Sequence, residues 1–308
     1  MKTFIYELIK ISSDPIVRSK LKSGIKITHL LIICIVLGLT SFSYAQQVDT
    51  TANSGSRPSR EVKWVNSDIK EMPGLTHHIL KSEALGTDVG YVVWLPEEYT
   101  AKQKKHFPVI YFLHGAGGTE ASDGVGFSEK VAEAIAKKMI SPVICVFPNG
   151  GMSGYRGGVE KMIVEELIPT IDKEYRTLAK PESRAIAGFS MGGSGSVYLA
   201  IMHPKLFSAA GSMGGGLGAR RANDVATLKL EESIDNALPI WKKRDVGFFM
   251  VNGDADNPDA FKEFAEKLDK NSIDYERVIQ PNTKHNLGLY YEGSALKLID
   301  FLNRHLKK

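Results

Sequence analysis

The chain has little cysteine: two residues in 308, Cys34 and Cys145. A small disulfide-stapled scaffold is thereby excluded. Its 29 glycines and 13 prolines are too few for a collagen-like or low-complexity chain. Charge of one sign is also lacking. The formal net charge is +4, but residues 1–45 hold six Lys/Arg against Glu7 and Asp14, which leaves 33 basic and 33 acidic residues in 46–308. A neutral body offers no electrostatic footprint for nucleic acid, so none is expected as a partner. Long hydrophobic runs are missing as well. The run Leu30–Leu39 extends from Ile27 to Tyr44 only by taking in Thr28, His29 and several Ser/Thr, which falls short of a membrane span. No internal repeat is present. What remains is ordinary globular composition, 43% hydrophobic and 24% charged, enough for one large domain or two small ones.

The apolar run fits an export signal instead. Basic residues end at Lys26, the run follows, and Ser43-Tyr44-Ala45 places small residues where a signal peptidase reads. Residues 1–45 are expected to be a cleaved signal peptide, cut after Ala45, with a secreted or periplasmic destination and no stable membrane insertion afterwards. Ile33 before Cys34 argues against a lipoprotein site. Cleavage leaves Cys145 alone, so no intramolecular disulfide can form. That residue sits in the apolar stretch Pro142–Phe147 and reads as a small buried hydrophobe rather than a nucleophile. Residues 46–60 are polar and Ser/Thr-rich without periodicity, a disordered leader to a domain over 61–308.

From residue 61 onward the punctuation is regular. Apolar or alternating runs predict strands at Thr76–Ala84, Val89–Leu95, Phe107–Leu113, Val143–Phe147, Arg184–Phe189, Phe207–Ser212, Gly247–Asn252 and Tyr275–Gln280. Helical spacing appears over Glu129–Met139, over Val159–Tyr175 with a kink or restart at Pro169, and over Ser294–Leu306. Asn257-Pro258 reads as an N-cap and first helical residue, with Phe261, Phe264, Ala265 and Leu268 facing the core. The first two strands have no helix between them and suit a hairpin. The later strand–helix–strand order demands parallel strands with right-handed crossovers. The expected fold class is α/β, a mostly parallel central sheet flanked by helices with antiparallel N-terminal strands.

Gly188-Phe189-Ser190-Met191-Gly192 is a G-x-S-x-G motif set between a strand and a helix. Such a turn holds a serine hydroxyl clear of the sheet in strained backbone, at a helix N-terminus that favours developing negative charge. A serine at its free pKa is a weak nucleophile and needs a base. Of eight histidines, His285 lies in the loop after the last strand, at the edge where this turn opens. The orienting acid is sought after the strand ending at Asn252, where Asp254, Asp256 and Asp259 compete. Asp259 falls in a predicted first helical turn, where an acid simply favours the dipole, and Asn257 is free to cap. Asp256 is therefore preferred to Asp254. The order Ser190, Asp256, His285 is that of α/β-hydrolases. An oxyanion hole needs two N–H groups. Met191 follows the nucleophile, and Ala116 lies in the glycine-rich loop His114-Gly115-Ala116-Gly117-Gly118 after a strand. Gly117, Asn149 and Tyr155 sit on loops at the same sheet edge and are candidate substrate-binding residues.

With these residues the chain resembles the esterase D-type branch of the α/β-hydrolases, the carbohydrate esterase family one group that includes feruloyl esterases, acetyl-xylan esterases and mycolyltransferases. The resemblance covers roughly Val89–Leu306 and rests on segments in order: Trp94-Leu-Pro-Glu-Glu-Tyr99, Phe107-Pro-Val-Ile-Tyr-Phe-Leu-His-Gly115, Glu166-Leu-Ile-Pro-Thr-Ile-Asp172, Ala187-Gly-Phe-Ser-Met-Gly-Gly193 and His203-Pro-Lys-Leu-Phe207. It implies an α/β-hydrolase fold, ester hydrolysis through an acyl-enzyme, no metal or organic cofactor, and Ser190, Asp256 and His285 as the triad. Many relatives follow the histidine with Asp-Trp and another aromatic, whereas this chain has Asn286-Leu-Gly-Leu-Tyr-Tyr291. That departure touches the sugar-ester substrate more than the chemistry.

Rival signals are weaker. Met213–Ala219 contains G-x-G-x-x-A, but late in the sheet for a dinucleotide site, and the stretch fits a loop over the active site. The three aspartates lack the bidentate Glu of a calcium loop, and His77-His78 has no further ligands nearby. The expectation is a secreted serine carboxylesterase acting on small acyl esters, with acetyl or feruloyl groups on plant polysaccharide as the substrate class. The alternatives are an acyltransferase or peptidase using the same triad, or a non-catalytic glycan-binding protein on this scaffold.

Overall fold

The computed structural model describes residues 62–217 and 225–307. The expected signal peptide at 1–45 and leader at 46–60 lie outside the described residues. Among the described residues no helix is long and apolar enough to cross a membrane.

Eight strands form one sheet in the order β1-β2-β4-β3-β5-β6-β7-β8. They are β1 (Leu75–Ser82), β2 (Thr87–Trp94), β3 (Val109–Leu113), β4 (Ile144–Pro148), β5 (Arg184–Phe189), β6 (Ala209–Met213), β7 (Gly247–Gly253) and β8 (Tyr275–Gln280). The β1–β2 hairpin and the β2–β4 pair are antiparallel, and every other pair is parallel. All eight expected strands are present. The central ones are buried along their whole length, as a parallel sheet covered on both faces requires.

Side chains alternate between two apolar layers, the period-two consequence of strand geometry. Tyr111, Ile186, Phe248 and Met250 face one layer, with Met162, Val197, Trp241 and Phe264 packed on them. Ile110, Phe112, Phe249 and Val251 face the other, with Phe127, Val131, Leu298 and Phe301.

The helices are α1 (Glu97–Ala101), α2 (Gly124–Ala136), α3 (Gly158–Lys161), α4 (Ile168–Glu174), α5 (Met191–Met202), α6 (Val225–Arg244), α7 (Lys262–Lys270) and α8 (Leu287–His305). Their boundaries correct the sequence reading in several places. Helix α2 starts at Gly124, five residues before the expected Glu129, because Gly126 lets it pack against α8: a Cβ there would lie 2.8 Å from the Tyr291 ring. The expected helix over Val159–Tyr175 is three segments, with a π-helical stretch at Met162–Leu167 between α3 and α4. Pro169 has no N–H to bond four residues back, and the chain widens just before it.

The helix expected from Asn257-Pro258 begins instead at Lys262. Asn257 accepts from Ala260 N–H at 3.2 Å and Asp259 from Lys262 N–H at 3.0 Å, so the stretch closes as turns. Arg277 also claims the Pro258 carbonyl at 2.7 Å. Helix α6, with Pro239 inside it, has no counterpart in the sequence reading, although buried Leu230, Ile234, Ala237 and Trp241 trace a helical stripe. The last helix begins at Leu287 rather than Ser294 because the Asn286 side chain caps it, accepting from Leu289 N–H at 3.1 Å. Gly288 and Gly293 hide that start from propensity alone. Asn286→Ala is expected to lower the unfolding free energy by about 1 kcal/mol, while Asn286→Asp retains most of it, as read by urea unfolding.

Candidate active site

Ser190 stands between β5 and α5 with φ 55° and ψ −115°, a left-handed conformation for a residue that bears a side chain. The turn is that tight because β3 passes behind it. A Cβ on Gly188 would lie 2.5 Å from the Leu113 carbonyl oxygen, and one on Gly192 only 1.9 Å from it. The backbone ties the elbow on both sides: Ser190 N–H donates to Met213 O at 2.8 Å, and Ser190 O accepts from Ser194 N–H at 2.9 Å.

The structure brings together the three residues singled out in the sequence. His285 Nε2 is 2.8 Å from Ser190 Oγ, and its Nδ1 is 2.8 Å from Asp256 Oδ2. A carboxylate can only accept, so Nδ1 carries the proton and Nε2 is free to accept from the serine hydroxyl. The Phe189 ring lies 5.0 Å from the imidazole. Asp254 has a different task. Its two oxygens accept the N–H groups of Asn282 at 2.9 Å and Thr283 at 3.0 Å, on the turn that carries His285. Those backbone donors hold its carboxyl below the usual carboxylate range. Asp259 faces Arg277 at 3.3 Å.

Of the two candidate oxyanion donors, Met191 follows the serine directly in the chain and Ala116 follows Gly115. Met191 N begins α5. The loop with Ala116 passes close by, since a Cβ on Gly115 would be 3.5 Å from Ser190 Cβ. Gly117 lies at the open tip of that loop with φ 80°, and its N–H points at Met152 Sδ, 3.1 Å away. His114 anchors the loop: Nε2 accepts from Gly150 N–H at 2.9 Å, so Nδ1 holds the proton and donates to Gly115 O at 2.8 Å. Burial lowers its pKa and keeps the ring neutral.

Asn149 and Tyr155, expected as substrate-binding residues, are corrected to interior supports. Both are fully buried. The Asn149 amide donates to Lys63 O, Trp64 O and Glu120 Oε2 at 2.8–3.1 Å, and its oxygen accepts from Gly151 N–H. Tyr155 gives its hydroxyl to His114 O at 2.9 Å. Both side chains are turned inward and hydrogen-bonded within the protein.

A cavity of about 780 Å³ opens at Ser190 and His285. Its wall includes Met191, Gly214–Leu217, Lys262 and Phe264. The first part of the glycine-rich G-x-G-x-x-A stretch thus borders the nucleophile, while its end at 218–219 lies outside the described residues. Two further residues escaped the sequence reading. Tyr290 donates to Asp256 Oδ2 at 2.6 Å. Glu120, 1% exposed, gathers Asn66, His77 and Asn149 around its carboxylate. Glu120 stands in a polar stretch, Thr119-Glu120-Ala121-Ser122-Asp123, that gives no sign of its burial, and its partners are 29 to 54 residues away. Among the described residues no group of three His, Cys, Asp or Glu is placed to hold a metal ion. His78 Nε2 lies within hydrogen-bond distance of Thr76 on the same strand and of Tyr175 at the end of α4.

Known proteins resemble this chain in sequence and in fold. Residues 82–261 match the family model described as "Putative esterase". The chain is 31% identical over 209 residues to an esterase of Mycobacterium tuberculosis, covering 60% of this chain and 42% of the relative. It is 30% identical over 218 residues to an endo-1,4-beta-xylanase/feruloyl esterase of Xylanibacter ruminicola, covering 66% of this chain and 28% of the relative. The chain therefore spans less than half the length of these curated relatives. A ferulic acid esterase of Anaeromyces mucronatus, solved with ferulic acid, superposes with a TM-score of 0.61 at 19% identity, over 79% of this chain and 96% of that one. That likeness speaks for the fold, which is the α/β-hydrolase fold.

Tyr155→Phe leaves the buried His114 carbonyl without its donor. It is expected to cost about 1–3 kcal/mol of stability in urea unfolding. Unaltered stability with weakened ligand binding would return Tyr155 to the pocket.

Proposed function

The chain belongs to this esterase family, in the branch that includes feruloyl and acetyl-xylan esterases, and from that premise we propose that it hydrolyses carboxylic esters through an acyl-enzyme on Ser190. The observation that carries the reading is the pair of 2.8 Å contacts through which His285 joins Ser190 to Asp256. His285 takes the serine proton as Oγ attacks the ester carbonyl, and Asp256 holds the imidazole in the tautomer that can do so. The N–H groups of Met191 and Ala116 stabilise the oxyanion, each worth about 3 kcal/mol at the transition state. His285 then protonates the leaving alkoxide. Water, deprotonated by the same imidazole, releases the acid and restores the serine.

Acetyl or feruloyl groups on plant polysaccharide are the substrate class proposed. A cavity of about 780 Å³ at the nucleophile has room for an aromatic acyl group, and a feruloyl esterase is among the relatives. Gly117, exposed at the tip of the loop after β3, is the one remaining loop candidate for substrate contact, although it is not part of the cavity wall. The export signal read at 1–45 supports a secreted or periplasmic location, where a polymer that cannot enter a cell is met.

The test is turnover of p-nitrophenyl acetate, p-nitrophenyl butyrate and methyl ferulate beside Ser190→Ala. The variant is expected to lose about 10⁴-fold or more in kcat. Methyl ferulate turned over at least as well as the short esters supports an aromatic acyl pocket; the reverse ranking supports acetyl. No turnover of any ester by folded protein would overturn the reading in favour of acyl transfer, peptide cleavage or glycan binding.

A further inference from the structure

We infer that Tyr290 is a positioning residue for this reaction: its hydroxyl pins Asp256 by the one carboxylate oxygen that orients His285. The inference rests on the reading of Ser190, Asp256 and His285 given above. Tyr290 lies in the first turn of α8, five residues after His285, and is fully buried. The Gly253 N–H at the end of β7 donates to its Oη at 2.8 Å. That bond occupies the phenol as an acceptor, so its own proton is directed at Asp256 Oδ2, 2.6 Å away. The same oxygen takes the imidazole N–H at 2.8 Å. One carboxylate oxygen thus serves two donors, and both come from the segment 285–290.

The mount is stiff. The Tyr290 ring sits 5.8 Å from that of Phe189, the residue before the nucleophile. On its other side the backbone of Gly214, at φ 59°, comes so close that a Cβ there would be 3.1 Å from the ring. Asn286 caps the helix, so the turn bearing His285 and the turn bearing Tyr290 move as one piece. Burial and the charge of Asp256 both push the phenol's pKa up, which keeps it a donor at any working pH.

A donor that shares the carboxylate oxygen draws charge away from the imidazole. Removing it strengthens the hold of Asp256 on the imidazolium and frees the carboxylate to rotate. Tyr290→Phe keeps the ring and deletes only the hydrogen bonds. Its kcat is expected to fall about tenfold, the equivalent of one charge-assisted bond, with KM unchanged because the hydroxyl does not face the cavity. The acid limb of the kcat/KM profile moves to higher pH. The other charged groups around the assembly, Asp259, Lys262 and Glu263 in the cavity wall and Asp254 and Lys284 on the flanking turns, are the same in both proteins.

The experiment is a pH profile of ester hydrolysis for the parent, Tyr290→Phe, Asp256→Asn and the double variant. Because Tyr290 acts through Asp256, its substitution is expected to cost less than about twofold in the Asp256→Asn background. Equal losses in both backgrounds, or an unmoved acid limb, would overturn the inference. A parent-like Ser190→Ala would instead overturn the nucleophile reading and leave this one without its premise. If Tyr290→Phe does not fold, 3-fluorotyrosine at position 290, a more acidic donor of nearly the same shape, serves instead. It is expected to move the limb to lower pH, and an unmoved limb overturns the inference.

Discussion

Where β5 turns into α5, three stretches of main chain meet with no room for a side chain. The Leu113 carbonyl of β3 lies against both Gly188 and Gly192, so neither position can carry even a methyl group without the strand moving. The rest of the site depends on this contact. It holds Ser190 in the left-handed region at the N-terminus of α5. It also fixes where the loop after β3 begins, and hence how closely Gly115 approaches the serine. A looser junction would relieve the strain and lose the alignment, because the energy of a strained residue is held only by packing that over-determines it.

Around that junction the loops are held by buried polar groups whose partners come from distant parts of the chain. Glu120 and Asn149 bind each other and draw in the segment 63–66, which also pairs with Gly90 of β2 through Trp64 O at 2.7 Å. His114 and Tyr155 lock the loops after β3 and β4 together by one side-chain acceptor and one donor. Each of these groups is nearly or wholly buried and paired, so losing any partner strands another in a medium that cannot replace it. The family match begins at residue 82, yet the brace at 63–66 lies before it. Part of what holds this chain's site in shape is thus outside the matched segment.

The eight strands were legible because each is a short apolar or alternating run bounded by turn residues, and their parallel pairing followed from the helices between them. The elbow was legible for a similar reason. A glycine two residues to either side of a serine, between strand and helix, is a local pattern with a local cause. Helix starts were less so. The start of α8 at Asn286 was masked by Gly288, and that of α2 by Gly124 and Gly126, where packing against Tyr291 outweighs poor propensity. Asn257-Pro258 carried a strong start signal, and the chain made turns there because Arg277 and the following N–H groups took the carbonyls first.

The sequence by itself determined the class of fold and where its strands lie along the chain, and it singled out Ser190 and His285 with Asp256 preferred as the acid, each from a pattern within about ten residues. Only the tertiary structure decided what Asn149, Tyr155, Glu120 and Tyr290 touch. Loop position put the first two near a ligand, but a side chain on a loop can turn inward as readily as outward. Strand order and helix packing choose between those directions, and they bring together groups that are, for Tyr290 and Asp256, 34 residues apart. A hydrogen bond over that distance leaves no periodicity to read, because its geometry exists only after the sheet has assembled.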